Sequence, residues 1–96
     1  MNTFQLSCFL EVAENLNFAR AAERLHVTQP AVTQQIHSLE QELNVKLFQR
    51  TTRMVRLTEA GFTFLDDARN MVAIAERAKK RFENPGEQDV QRLSLG

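Results

Sequence analysis

The stretch NFARAAERLHVTQPAVTQQIHSLEQEL, Asn17 to Leu43, decides the fold. Asn17 is a good helix cap, because its side-chain oxygen accepts one of the unpaired N–H groups of a first turn. It precedes Phe18 to Leu25, a helix of about two turns that depends on packing because it is too short to stand alone. His26-Val27 form a tight connection to a second start signal. Thr28 stands where a cap belongs, and Pro30 lies in the first turn, where a missing N–H costs nothing. The spacing predicts a helix over about Gln29 to Leu43, with Asn44 as the left-handed terminator used when glycine is absent. At about 100° per residue, Val32, Ile36, Leu39 and Leu43 share one narrow arc. The opposite arc holds Pro30, Thr33, Gln34, His37 and Gln41 and no carboxylate, with Glu40 and Glu42 projecting to the flanks.

Working outward, Leu6, Phe9, Leu10, Ala13 and Leu16 recur at three and four, which predicts an amphipathic helix over about residues 4 to 15. Downstream, Leu47, Phe48, Val55 and Leu57 lie in two short runs around Thr51-Thr52-Arg53, the pattern of two strands joined by a loop, a wing. Thr58 caps a fourth helix from Glu59 to about Phe82, roughly 36 Å long, ending before Asn84-Pro85-Gly86. The expected fold is mainly α: three helices and a two-stranded wing in residues 1–58, a long helix in 59–84, and a hinge with one strand in 85–96. Leu93 and Leu95 alternate with polar residues like a strand without a partner, so a further domain is expected beyond Gly96.

Twelve basic and twelve acidic side chains sum to zero, which taken alone argues against a strongly basic nucleic-acid binder. The sum hides a division. Residues 1–17 carry only Glu11 and Glu14. Residues 18–58 carry Arg20, Arg24, Lys46, Arg50, Arg53 and Arg56 against Glu23, Glu40 and Glu42, a balance of +3. Lys46 to Arg56 holds four cations and no acid. Screening confines charge effects to about 8–10 Å, so the local patch governs phosphate contact. The lone Cys8 reads as a packing residue, no apolar run suits a membrane span, and the N-terminus lacks a signal-peptide pattern, so a soluble cytoplasmic protein is expected. His26, His37 and Cys8 are too few and badly spaced for a structural zinc site, and Asp66-Asp67 read as a solvated face. No nucleophile–base–acid set or glycine-rich phosphate loop is visible, so an enzyme is not expected.

Two helices joined by so tight a turn form a helix-turn-helix, whose second helix enters the DNA major groove by its N-terminal half. The candidate DNA-facing residues are Thr28, Gln29, Pro30, Ala31, Thr33, Gln34 and His37 on this helix, with Arg50 and Arg53 on the wing. Gln pairs bidentately with adenine, and Arg53 at the loop tip suits a narrow minor groove. The positive end of the third helix at Thr28-Gln29 suits a phosphate. Arg50 and Arg56 suit phosphates or local acids. On the fourth helix, Leu65, Ala68, Val72, Ala75 and Phe82 form one apolar stripe, and Phe64, Met71, Ile74 and Ala78 an adjacent one. One stripe covers the core and the other needs a partner, so a homodimer reading an inverted repeat is expected. The alternative reading is a helical dimerisation or adaptor module using the same fold for protein contacts.

The segment NFARAAERLHVTQPAVTQQIHSLEQELNVKLFQRTTRMVRLTEAG, Asn17 to Gly61, closely resembles the N-terminal domain of LysR-type transcriptional regulators. The resemblance implies a winged helix-turn-helix, a dimerising linker helix and a C-terminal effector-sensing domain of periplasmic-binding-protein type, whose first strand would be Arg92 to Gly96. It puts Gln29, Pro30, Thr33 and Gln34 at the start of the recognition helix and Arg50 and Arg53 in the wing. It implies double-stranded DNA as partner, a homodimer or, in a full-length protein, a tetramer, no membrane, no cofactor for this segment, and a small-molecule effector for the missing domain. The family often has Ser at Thr33 and Arg or Lys at Gln34. Gln34→Ala is therefore expected to relax base preference at one position by about 1–3 kcal/mol in a binding-site selection. A uniform loss over all sequences would mark Gln34 as a phosphate contact instead.

Overall fold

The computed structural model describes residues 1–83, and each of its four helices starts on an Asn or Thr side chain. Asn2 accepts the Gln5 N–H at 2.8 Å to open α1 (Thr3–Asn15). Asn17 accepts from Arg20 at 2.9 Å to open α2 (Phe18–Leu25), and Thr28 from Ala31 at 3.3 Å to open α3 (Gln29–Leu43). Thr58 accepts from Gly61 at 3.0 Å to open α4 (Glu59–Glu83). Between α3 and α4 lie β1 (Phe48–Arg50) and β2 (Val55–Leu57), antiparallel, with Phe48 opposite Leu57, Gln49 opposite Arg56 and Arg50 opposite Val55. The expected hinge at Pro85-Gly86 and the strand around Leu93 lie outside the described residues.

The first three helices stop without glycine. Leu16, His26 and Asn44 are left-handed, with φ of 51°, 60° and 58°. Asn44 and His26 are residue types enriched in that conformation, whereas Leu16 is not. After α2, the Val27 N–H reaches Ala22 O at 3.0 Å and the His26 N–H reaches Glu23 O at 3.2 Å. After α3, Val45 and Asn44 repeat the pair on Glu40 O and Gln41 O. These reverse bonds define a Schellman turn and satisfy carbonyls that a helix end leaves open. At the end of α1 the structure corrects the expected stripe. Leu16 is 46% exposed, because its left-handed backbone carries it off the helix, and Val12 takes the buried place.

The core draws on all four helices and β1, with Val55 and Leu57 of β2 packed against it. Leu6, Cys8, Phe9 and Val12 of α1, Phe18, Ala21 and Ala22 of α2, and Val32, Ile36 and Leu39 of α3 are buried, together with Leu47, Phe48 and Ala68. A row of rings runs through it: Phe64 lies 5.2 Å from Phe9, Phe9 5.4 Å from Phe48, and Phe48 6.0 Å from Phe18. Tilted and edge-on geometries suit the ring quadrupoles. Burial pushes the Cys8 thiol up to about 11, which keeps it protonated and a packing group.

Glu40 does not project to a solvent flank as its helical position suggests. It is buried, and its Oε2 accepts the N–H groups of Leu47 at 2.8 Å and Phe48 at 3.3 Å. Lys46 Nζ lies 4.0 Å from Oε1. The carboxylate thus ends α3's turn by holding the entry to β1, where two buried donors have no strand partner. The connection continues to α4: the Thr58 N–H donates to Leu47 O at 3.0 Å, and the Thr58 hydroxyl donates to Lys46 O. Gly61 completes it, since a Cβ there would sit 2.3 Å from Leu47 O.

The apolar surface of α4 divides along its length, not into the two expected stripes. Phe64, Leu65, Met71 and Val72 pack against the core from both stripes, and Ala68 is wholly buried within the chain. Ala75 is half-buried and Ala78 exposed, while Ile74 is 56% and Phe82 82% exposed. The physical reason is reach: the core packs against this 25-residue helix as far as about Val72 and leaves its last turns bare.

Glu40→Ala is expected to lower the unfolding free energy by about 2–4 kcal/mol in urea titrations, since it leaves two buried N–H groups unpaired. Glu40→Gln, which keeps an acceptor oxygen, should lose less. Equal losses would show that the carboxylate's hydrogen bonds are not what holds the wing.

Candidate nucleic-acid interface

The buried arc of α3 fixes what its other side presents. With Val32, Ile36 and Leu39 locked in the core, Gln29, Pro30, Thr33, Gln34, His37, Ser38 and Gln41 line one shallow, open concavity. Gln29, Pro30, Gln34 and His37 are exposed, and Thr33 and Ala31 are half-buried. No acid lines this surface, and among the described residues α3 exposes no large hydrophobic side chain. Burial of Glu40 removes the nearer carboxylate from the rim. Gln41 lies on this surface as the helical period predicts, and Ser38 extends it beyond the expected arc. The first turn offers less to an anion than its dipole suggests. Thr28 already takes the Ala31 N–H and Pro30 has none, so Gln29 carries the one uncapped N–H among these three.

The wing stands beside this helix. Its loop is set by Thr51, whose N–H donates to Met54 O at 2.9 Å and whose hydroxyl accepts from Met54 at 3.1 Å and Arg53 at 3.3 Å. These bonds close the turn on its own backbone and leave the Arg53 side chain exposed at the tip. Gln49 and Arg56, opposite in register, share one strand face, while Phe48, Arg50, Val55 and Leu57 share the other. Phe48 is buried on that inner face, so Arg50, two residues on, is aimed toward α2 and α3. Its guanidinium lies 4.4 Å above the centre of the Phe18 ring and donates to His37 Nε2 at 2.8 Å. By sequence, Arg50 and Arg56 suit either phosphates or local acids. Among the described residues no carboxylate lies within 4.0 Å of Arg50, Arg53 or Arg56, whereas Arg24 is paired with Glu11 at 3.0 Å.

The structure therefore brings Gln29, Pro30, Thr33, Gln34 and His37 onto one surface and ties the wing to it through Arg50. Phe18 was missed as a partner of the cationic site. The signal was the strand period, which puts Arg50 on the face of Phe48. No group of three or more His, Cys, Asp or Glu that could hold a metal occurs among the described residues, and none of their helices is long and apolar enough to cross a membrane.

The sequence profile of bacterial regulatory helix-turn-helix proteins, lysR family, matches residues 4–62. Among curated relatives, the HTH-type transcriptional regulator ClcR of Pseudomonas putida is 51% identical over 86% of this chain and 29% of its own length. The HTH-type transcriptional regulator TfdT of Cupriavidus pinatubonensis is 48% identical over 84% of this chain and 36% of its own. The chain thus spans about a third of the length of these relatives. Among solved structures, the CbnR_DBD–DNA complex superposes with a TM-score of 0.82 at 44% identity, covering 90% of this chain and 99% of that one. The BenM_DBD/catB site 1 DNA complex gives 0.80 at 30% identity, covering 88% and 93%.

Arg53→Ala is expected to weaken binding to duplex DNA and to lower the slope of log affinity against log salt by about one unit. An unchanged slope would remove Arg53 from the phosphate-contacting set.

Proposed function

Because the chain belongs to the lysR family of bacterial regulatory helix-turn-helix proteins, we propose that it is the DNA-reading segment of a transcription regulator. The observation that carries this reading is the acid-free, polar face of α3 joined through Arg50 and His37 to a wing whose arginines have no carboxylate partner among the described residues. Major-groove base edges present donors and acceptors that Gln29, Thr33 and Gln34 match, while the phosphate backbone calls for the wing's charge. The neutral total charge is consistent with modest non-specific affinity, with selectivity drawn from base contacts.

The same proposal includes a two-fold dimer. Ile74 and Phe82, exposed beyond the turns of α4 that the core covers, form its starting surface. Two recognition helices related by a two-fold axis read an inverted repeat. Residues through Thr58 serve as the reading head and residues 59–84 as the dimerising helix. A small-molecule effector acting on a sensor domain beyond Gly96 completes the scheme, and no cofactor is assigned to the segment itself.

Selection of bound duplexes from a random pool tests the proposal. The expected product is an inverted repeat with half-sites spaced about one DNA turn or a multiple apart. Ile74→Glu is expected to recover single half-sites and to sediment as a monomer. Recovery of no enriched sequence by the intact protein would overturn the reading.

A further inference from the structure

We propose that Phe18 and His37 are positioning residues that hold the Arg50 guanidinium, with its charge uncompensated, in a preset pose toward a DNA backbone phosphate. The inference rests on the DNA-binding reading above and deepens it.

Three elements meet at this point. Phe18 is the first residue of α2, His37 lies on α3, and Arg50 ends β1. Phe18 is anchored in the core, 5% exposed and edge-on to Phe48, so the ring beneath the guanidinium is rigid. A guanidinium has no acceptor, so the 2.8 Å contact makes His37 Nε2 the acceptor and puts the imidazole proton on Nδ1. One donor of Arg50 is thereby committed, and its guanidinium carbon sits over the Phe18 ring. Guanidinium has five N–H donors in a fixed fork, so others remain for a second ligand.

The choice of partners matters. A carboxylate would hold the side chain as firmly and would cancel its charge. A neutral imidazole and an aromatic face immobilise it and leave the charge for an incoming anion. Arginine loses much rotamer freedom when it binds, and here that loss is met within the protein itself. The position also selects the ligand. With α3 in a major groove and the wing tip in the adjacent minor groove, the strand backbone between the grooves faces the junction of the two, where Arg50 sits. His37, read from the helical period as a DNA-facing residue, thus acts through Arg50.

A double-mutant cycle on a duplex recovered by selection, run over a salt series, tests this. Arg50→Ala is expected to weaken binding and to lower the salt slope by about one unit. His37→Ala is expected to weaken binding about three- to tenfold with the slope unchanged, and to add no loss in the Arg50→Ala background. Arg50→Lys, which keeps the charge and loses the planar fork, should keep the slope and lose affinity. Additive losses, a slope change in His37→Ala or full affinity in Arg50→Lys would each overturn the proposal while leaving the DNA reading intact. Wild-type protein that binds no duplex would overturn both.

Discussion

A single buried carboxylate holds the molecule's functional halves together. Glu40 lies near the end of the helix that presents the carboxylate-free polar face, and it grips the first backbone donors of the wing. Its own carbonyl accepts the Val45 N–H that reverses the chain. From Leu47 the connection passes to Thr58, and from Thr58 to the first turn of α4. One chain of hydrogen bonds thus sets the wing against α3 and α4 against the wing. An apolar residue at position 40 would fill the space without satisfying the two N–H groups, so packing alone cannot replace it.

The distribution of charge follows a similar economy of placement. The formal total is zero, yet several acids of the first three helices are taken up by other groups. Glu40 is buried against main chain, Glu11 is paired with Arg24, and Glu42 meets the amino terminus at 2.6 Å. Arg50, Arg53 and Arg56 have no such partner among the described residues. At a screening length of about 8–10 Å, a phosphate at the wing responds to these neighbours and little to acids on distant turns.

Much of the fold was legible in the sequence, and for local reasons. Caps at Asn17, Thr28 and Thr58 were readable because a cap bonds within three residues of itself. The buried arc of α3 followed from the helical period, and the solvent face of the same helix followed with it. Two kinds of feature escaped. Leu16 is a left-handed terminator that residue preferences do not favour, imposed because the next helix must start at once. The apolar surface of α4 could be listed but not apportioned, because two adjacent stripes satisfy the same periodicity and only the reach of the core decides which turns are covered.

Residue type and spacing by themselves determined the order of helices, the wing, the polar arc of α3 and the concentration of cations between Lys46 and Arg56. Each depends on neighbours a few positions away, and one-dimensional patterns carry that information. The tertiary structure alone decided that Glu40 is a buried anchor, that Gly61 must lack a side chain beside Leu47, and that Arg50 rests on Phe18 and His37. Those roles join residues 7 to 32 positions apart across separate elements. No local period encodes such a meeting, because it exists only once the core has brought the elements together.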